Sequence, residues 1–202
     1  MNGETLLIHL DPKQGYNKVF DLGEYGMKLT AFGVIQLARG TSYQAATGEF
    51  EVALVLLGGK CAVKGDGFDF AEVGGRKNVF DGKPHTVYLP RRTAYEITAL
   101  TDVDLAYNAS PATRDTAKPC VITPEMTREL VIGRDNFTRK ATVILDEKFD
   151  SEHFYIGEGM ASGTRMVRVE RPSTMIWRTA SERARRAATS SGVSAANTGH
   201  SR

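Results

Sequence analysis

Short segments rich in β-branched and aromatic residues, separated by tight turns, most constrain how this chain can fold. Seven of them lie between residues 28 and 108, at 29–38, 50–57, 60–64, 78–80, 86–89, 95–100 and 103–107. Glycine pairs and Asp-Gly steps such as Gly58-Gly59, Gly65-Asp66-Gly67 and Asp81-Gly82 separate them, and these dipeptides favour turns. Many short strands at this spacing are typical of an all-β sandwich or jelly roll.

The hydrophobic pattern within the segments also indicates which strands are central. Tyr95, Ile97 and Ala99 alternate with polar residues, as in a strand with one face in water. Residues 52–57 are apolar throughout. We therefore predict that 52–57 form a central strand that is buried on both faces.

Composition argues against a membrane or exported protein. The chain has 202 residues, of which 41% are hydrophobic and 25% charged, an ordinary globular composition. Its longest apolar run, 52–59, is far shorter than the about 20 residues that span a bilayer, and no basic segment leads into an apolar core at the N-terminus. A cytoplasmic location is expected, in which Cys61 and Cys120 are neutral thiols without a metal or catalytic role.

After residue 108 the pattern weakens. Residues 109–118 have little apolar content and indicate a connection, and Thr123-Pro124-Glu125 predicts a turn or the start of a helix. Residues 143–145 and 153–156 then predict two strands that open a new unit.

The last 42 residues differ in composition from the rest. Residues 161–202 contain eight arginines, no lysine and two glutamates, and no Leu, Phe or Tyr follows Met160. Such a segment buries too little apolar surface to offset its ordering entropy, so we predict a disordered tail. A nucleic-acid-binding tail is the alternative, although aromatic residues other than Trp177 are missing from it.

The residues alone do not identify a catalytic site. His9, His85, His153 and His200 are far apart in sequence and are expected to have structural or solvent-facing roles, His9 within a short N-terminal strand pattern. His153 and Glu158 are five residues apart, which places them on opposite faces of a regular strand. Glycine-rich segments lack the Lys-Ser/Thr of a phosphate-binding loop, and no nucleophile elbow is present.

Several phrases of the sequence nevertheless resemble one family. They are 51–63 with 79–90, Gly74-Gly75-Arg76, 97–102, 122–125, and the Asn136, Thr138 and Arg139 stretch. Together they resemble the bacterial 5-deoxy-glucuronate isomerases of myo-inositol catabolism over residues 25–159. The resemblance implies a cupin-like jelly-roll barrel, the N-terminal half of a bicupin, over 1–110. A linker over 111–140, the start of an incomplete second barrel over 141–160 and a disordered or frame-shifted tail over 161–202 would follow.

The resemblance implies an aldose-ketose-type isomerase that converts 5-deoxy-D-glucuronate to 5-dehydro-2-deoxy-D-gluconate. In related bicupins two histidines one residue apart, a glutamate and a later histidine hold a divalent metal in the second barrel. This chain has no His-x-His pair, so no metal site is expected within it, and zinc is expected only in the missing second barrel. Arg139 is a candidate partner for the substrate carboxylate, with a surface ion pair as its alternative use.

Two functions remain open at this point. The chain is either an isomerase by descent, truncated and of undetermined activity, or a non-catalytic cupin that binds a sugar acid or serves in oligomerisation. The expected partners are a small-molecule sugar acid and, in a homo-oligomer, further copies of the chain; neither nucleic acid nor a membrane is expected. Translating the coding DNA in its other frames tests whether the tail is frame-shifted, because a restored His-x-His barrel would show it.

Overall fold

The computed structural model describes residues 8–135, 138–161 and 175–176, most of which lie in β-strands. Two short 3-10 helices, Glu24–Gly26 and Pro124–Met126, interrupt the strands, the second at the predicted turn or helix start. No helix in these ranges has the length and apolar character needed to cross a membrane. The strands, in chain order, are β1 Gly15–Phe20, β2 Ala31–Leu37, β3 Ser42–Ala46, β4 Phe50–Gly58, β5 Lys60–Gly65, β6 Phe68–Gly74, β7 Thr86–Leu89, β8 Ala94–Ala99, β9 Val103–Pro111, β10 Cys120–Ile122, β11 Arg128–Ile132, β12 Arg139–Leu145, β13 Ile156–Ala161 and β14 Met175–Ile176.

Two antiparallel sheets face each other and enclose the main core. The six-stranded sheet has the order β1-β2-β9-β4-β7-β10, and the four-stranded barrel sheet has the order β3-β8-β5-β6. Because side chains alternate between the faces of a strand, one face of each sheet points inward. The inward residues with no exposed surface include Ile35, Leu54, Leu56, Val63, Val87, Ile97 and Leu105. This arrangement confirms the predicted all-β, cupin-like jelly-roll barrel.

Strand β4 is the centre of the six-stranded sheet. Its residue Leu54 lies opposite Tyr107 of β9 and opposite Val87 of β7. The alternate residues of β4 point to the other face of the sheet, where they belong to a second buried core. Both faces of β4 are therefore covered, which confirms the prediction from its uninterrupted apolar sequence.

A third sheet covers the outer face of the six-stranded sheet. It has the order β11-β12-β13-β14, and β12 runs antiparallel to both β11 and β13. The second core joins it to the six-stranded sheet and includes Ala53, Val55, Leu57, Tyr88, Ala106, Ile144, Leu145, Phe154 and Ile156. The six-stranded sheet is thus the middle layer of three.

The structure shows which strands lie within the ranges that were predicted from the sequence. The range 111–140, predicted as a linker, contains β10, which pairs with β7, and β11, which pairs with β12. The range 141–160, predicted to open a second barrel, begins in β12 and ends in β13 of the third sheet, with a loop over 146–155 between them. Its assignment as the start of a second barrel stays a prediction. The predicted tail, 161–202, lies outside the described residues except for Ala161 and for β14, which pairs in parallel with β13.

Two predicted strands are wrong, and β1, β3, β6, β10 and β11 were missed. Residues 153–155, predicted as part of a strand, lie in the loop before β13, which begins at Ile156. Residues 78–80 form a turn, in which the Asp81 N–H donates to the carbonyl oxygen of Asn78 at 3.0 Å. Each of the missed strands lies at an edge of its sheet. Edge strands are half exposed and carry more polar and small residues, so their composition resembles that of loops.

Gly59, at the turn between β4 and β5, is a position where only glycine fits. Its φ is +92°, and an added Cβ would lie 2.9 Å from the Cα of Val103 and overlap the carbonyl oxygen of Asp102. We expect Gly59→Ala to lower the free energy of unfolding by about 3 kcal/mol, from backbone strain and overlap together. Gly67 has φ +78° but open space around its Cβ. Gly67→Ala should therefore cost only about 1 kcal/mol, and equal losses in urea unfolding would contradict the close approach at Gly59.

Candidate functional site

Four tyrosines project from both barrel sheets into the space between them. Tyr16 on β1 and Tyr107 on β9 come from the six-stranded sheet, and Tyr43 on β3 and Tyr95 on β8 come from the facing sheet; all four pack against the main core. The ring centroids of Tyr16 and Tyr107 are 5.1 Å apart with planes at 70°, the edge-to-face geometry that aromatic pairs favour. We call these four residues the tyrosine cluster.

Local sequence explains why these rings point inward. Tyr95 shares the inward phase of β8 with Ile97 and Ala99, which are buried. A glycine makes room for Tyr16, because a Cβ at Gly33 of β2 would lie 2.8 Å from the Tyr16 Cζ atom. The cluster therefore depends on the register between β1 and β2 as well as on the tyrosines themselves.

The hydroxyls of the tyrosine cluster stay protonated at neutral pH. Burial raises the pKa of Tyr107 to about 12, with further contributions from the Tyr43 hydroxyl and the Asp21 carboxylate. Burial is also the main cause of the raised pKa of Tyr16, Tyr43 and Tyr95, and the neighbouring tyrosines add to it for Tyr16 and Tyr95. These groups can donate and accept hydrogen bonds, but they do not act as bases near pH 7.

A buried ion pair joins the barrel to the third sheet. The Arg76 guanidinium donates from Nη1 and Nη2 to the two carboxylate oxygens of Glu158 on β13, at 2.8 and 2.7 Å. Its Nε also donates to the carbonyl oxygen of Leu56, and Nη1 donates to that of Gly82. With its side chain only 3% exposed, Arg76 is a structural clamp between the two layers, which was not predicted from the sequence.

Glu51 makes a second polar connection between the layers. This buried carboxylate on β4 accepts hydrogen bonds from the Tyr88 hydroxyl at 2.9 Å and from the backbone N–H groups of Glu152 and His153 at 2.9 and 2.7 Å. Since its surroundings leave Glu51 about 1% exposed, a substrate does not reach it. Its role is to hold the loop before β13 onto the six-stranded sheet.

Glu152 fixes the same loop to the connection after β9. Its carboxylate accepts hydrogen bonds from the backbone N–H groups of Arg114 and Thr113 and from the Thr113 hydroxyl, at 2.9, 2.7 and 2.8 Å. These bonds favour the ionised form and lower the pKa of Glu152 to about 2. The carboxylate is therefore charged at neutral pH, and its oxygens are engaged in hydrogen bonds that hold the loop.

The structure keeps the described histidines apart. His9 is exposed and lies outside the strands, so the predicted N-terminal strand pattern around it is wrong. Burial lowers the pKa of His85, which precedes β7. His153 lies in the loop before β13, 3.5 Å from Glu152, whereas Glu158 lies within β13 and binds Arg76. His200 lies outside the described residues.

The remaining residues singled out from the sequence are Arg139 and the two cysteines. Arg139 lies at the start of β12, half buried, and forms no side-chain ion pair with the residues that the structure describes. Its role as a substrate carboxylate partner stays a prediction. Burial raises the pKa of Cys61 to about 12 and also raises that of Cys120, so both are neutral thiols at pH 7, as predicted.

The described part of the barrel does not fit a metal ion. Within 8–135 and 138–161, no group of three or more His, Cys, Asp or Glu side chains lies close enough to hold one. The main core between the barrel sheets holds apolar side chains, tyrosines and one thiol, Cys61, which burial keeps protonated by raising its pKa to about 12. A single protonated thiol among apolar groups and phenols does not supply the imidazole, thiolate or carboxylate ligands that a divalent transition metal requires.

A model of the KduI/IolB family matches residues 9–166 of this chain. The chain is 30% identical to the 5-deoxy-glucuronate isomerase of Geobacillus kaustophilus (strain HTA426) over 134 residues, which are 66% of this chain and 48% of that relative. It is 37% identical to the 5-deoxy-glucuronate isomerase of Bacillus subtilis (strain 168) over 82 residues, 40% of this chain and 30% of the relative.

A solved structure is also similar. The crystal structure of an IolB-like protein from Salmonella typhimurium LT2 superposes with a TM-score of 0.66 at 26% sequence identity, covering 70% of this chain and 54% of that chain. The chain thus spans about half the length of the relatives it matches. The matched region includes the barrel and the third sheet as far as β13.

Proposed function

The chain belongs to the KduI/IolB family, and from this premise we propose that it is a 5-deoxy-glucuronate isomerase-like protein of myo-inositol catabolism. The observation that carries the proposal is the match over residues 9–166, together with relatives named for this activity at 30% and 37% identity. The proposed substrate is 5-deoxy-D-glucuronate, and the proposed product is 5-dehydro-2-deoxy-D-gluconate.

An aldose-ketose isomerisation moves a proton between adjacent carbon atoms. It requires a base with a pKa near neutral and an electrophile that stabilises charge on the carbonyl oxygen. The described carboxylates Glu51, Glu152 and Glu158 are each engaged in structural hydrogen bonds. We propose that the described residues contribute the scaffold, which is the barrel and its covering sheet, and not the proton-transfer groups.

The other parts of the proposal concern the setting of the reaction. We propose that a divalent ion, zinc in the first instance, is held in a second cupin barrel and not by the described residues. We also propose a cytoplasmic location, where small sugar acids are metabolised, and a homo-oligomeric state. Gel filtration with light scattering measures the oligomeric state directly.

Turnover by the purified full chain tests the proposed activity. The chain is incubated with 5-deoxy-D-glucuronate, with and without added Zn²⁺, and loss of the aldehyde is followed by proton NMR. Conversion to the 2-deoxy keto acid, with incorporation of solvent deuterium at the carbon that receives the proton, supports the proposed isomerase activity of this chain. If the substrate remains unchanged under both conditions while it stabilises the chain against heat, the chain is a binding module and not an isomerase.

A further inference from the structure

The sequence contains two Asp-Gly steps, Asp66-Gly67 and Asp81-Gly82. Both lie in short connections between strands, and all four residues are exposed. An aspartate followed by glycine is especially prone to rearrange its backbone, because glycine has no side chain that obstructs attack of its nitrogen on the preceding carboxyl group. Whether an exposed step reacts in a folded protein then depends on how firmly its surroundings hold the two residues.

Asp66 and Gly67 form the loop of the β5–β6 hairpin. Gly65 and Phe68 pair across the hairpin, so these two residues alone connect the strands. Gly67 has φ +78°, and no heavy atom lies within 4 Å of the position that a Cβ would take. Among the residues that the structure describes, none forms a hydrogen bond with the Asp66 carboxylate or the Gly67 N–H. The side chain of Asp66 and the next peptide unit can therefore rotate toward each other.

Asp81 and Gly82 are held by three hydrogen bonds. The Asp81 carboxylate accepts from the backbone N–H of Lys77 at 3.0 Å, and the Asp81 N–H donates to the carbonyl oxygen of Asn78 at 3.0 Å. The Gly82 carbonyl oxygen accepts from Nη1 of the buried Arg76 at 3.2 Å. The Asp81 carboxylate must therefore give up a hydrogen bond before it can approach the Gly82 nitrogen.

We propose that Asp66 is a site of isoaspartate formation, where this protein rearranges its own backbone without another enzyme. The Gly67 nitrogen attacks Cγ of Asp66 and forms an N–Cγ bond, and one carboxylate oxygen leaves as water with the amide proton and a proton from solvent. Water then adds to the backbone carbonyl carbon of Asp66 in the resulting succinimide ring and breaks the bond between that carbon and the Gly67 nitrogen, releasing a proton. The main chain now runs through Cγ, and the former backbone carbonyl carbon carries a free carboxylate. The water that was lost is regained, so the mass is unchanged and no oxidant or reductant takes part.

The rearrangement disturbs the β5–β6 hairpin. It adds one methylene group to the main chain between Gly65 and Phe68, whose register depends on the length of the loop. Phe68 packs against the main core, and its ring occupies the space that a side chain at Gly65 would take. The new α-carboxylate lies at an exposed turn and is the group that L-isoaspartyl methyltransferases esterify with S-adenosylmethionine. The aged chain is therefore a substrate for this methyl transfer.

Ageing of the purified full chain tests the proposal. The folded chain is kept in neutral buffer below its melting transition, and samples taken over time are digested and separated by liquid chromatography. Isoaspartate peptides separate from aspartate peptides of equal mass, and electron-transfer fragmentation assigns the position. We expect isoaspartate to accumulate at residue 66 at least about fivefold faster than at residue 81, the factor that corresponds to one hydrogen bond on the Asp81 carboxylate. Transfer of labelled methyl groups by an L-isoaspartyl methyltransferase measures the total independently.

Two variants and an unfolded sample are the controls. Asp66→Glu keeps the charge but requires a larger ring that forms far more slowly, so it should abolish the signal at residue 66. Asp81→Glu is the matched change at the other step and should leave the signal at residue 66 unchanged. In concentrated guanidinium chloride the turns are lost, and both steps of the unmodified chain should react at similar rates.

The comparison of folded and unfolded samples also defines failure. If residue 66 stays aspartate in the folded chain but rearranges in the unfolded chain, the hairpin prevents the reaction and the proposal is wrong. Equal rates at residues 66 and 81 in the folded chain would show that the hydrogen bonds at Asp81 do not protect it, which contradicts the structural argument. The proposal does not rest on the proposed isomerase activity, and its readout is a covalent change and not turnover, so the two can fail separately.

Discussion

Replacing Glu158 with leucine is expected to lower the free energy of unfolding by about 3–5 kcal/mol. Glu158 receives both Nη groups of Arg76, and the side chains are 12% and 3% exposed. Leucine at 158 leaves the Arg76 charge buried without a counter-charge, which is the costly way to break a buried ion pair. Urea unfolding followed by circular dichroism measures the loss.

An exposed pair with the same separation is the control. Lys60 Nζ and Glu72 Oε1 are also 2.7 Å apart, but their side chains are 41% and 60% exposed. Glu72→Leu should cost less than about 1 kcal/mol, because water screens this pair. The double variant Arg76→Met/Glu158→Leu should lose less than the sum of its single variants, since the second change removes the stranded charge. A Glu158→Leu variant as stable as Glu72→Leu would show that Arg76 is not sealed between the layers.

Raising the pH from 9 to 11 is expected to destabilise the fold by about 4 kcal/mol through Cys61 and Tyr107. Burial raises the pKa of Cys61 from 9.0 to about 12 and that of Tyr107 from 10.0 to about 12. Above the unfolded-state pKa, the unfolded chain loses the proton while the folded chain keeps it, so each group costs about 1.4 kcal/mol per pH unit. The stability is complete below pH 9 and falls as the pH rises toward 12.

The variant Cys61→Ala distinguishes the contribution of the Cys61 thiol to this pH dependence from that of the tyrosine hydroxyls. It removes a fully buried group, so it lowers stability at every pH, but that constant cost cancels when the slopes are compared. Between pH 9 and 11 the unmodified chain should lose about 2 kcal/mol more than the variant, which is the share of the thiol. Urea midpoints at pH 8, 9, 10 and 11 give both slopes. Parallel slopes would mean that the Cys61 thiol ionises as readily in the folded chain as in the unfolded one.

The central strands could be predicted from sequence because their local pattern matches their environment. Residues 86–89 were predicted as a strand and are β7, and the apolar run of β4 correctly indicated burial on both faces. The apolar second face of β4 implied that something covers it, but no local signal names the covering segment. That information lies in the packing of Ile144, Leu145 and Ile156, about 90 residues further along the chain.

The candidate site was harder to predict because its parts meet only in three dimensions. Arg76 and Glu158 are 82 residues apart, and each alone is typical of an exposed residue. Tyr95 was recognised as inward-facing from its alternation with Glu96, but Tyr16 and Tyr43 lie on edge strands that the pattern missed. A cluster that forms only when distant strands pair cannot be recognised from the sequence of any one of those strands.

Synthesis on the ribosome exposes the middle layer in two stages. Strand β4 cannot complete its pairing until β9 has emerged, because Phe50 lies opposite Pro111. Its outward residues Ala53, Val55 and Leu57 then wait for residues 144–156 to cover them. At about 5–20 residues per second, this interval lasts a few seconds. The nascent polypeptide is therefore most exposed to aggregation, and most in need of a chaperone, after the barrel has formed and before the third sheet covers the outer face of the six-stranded sheet.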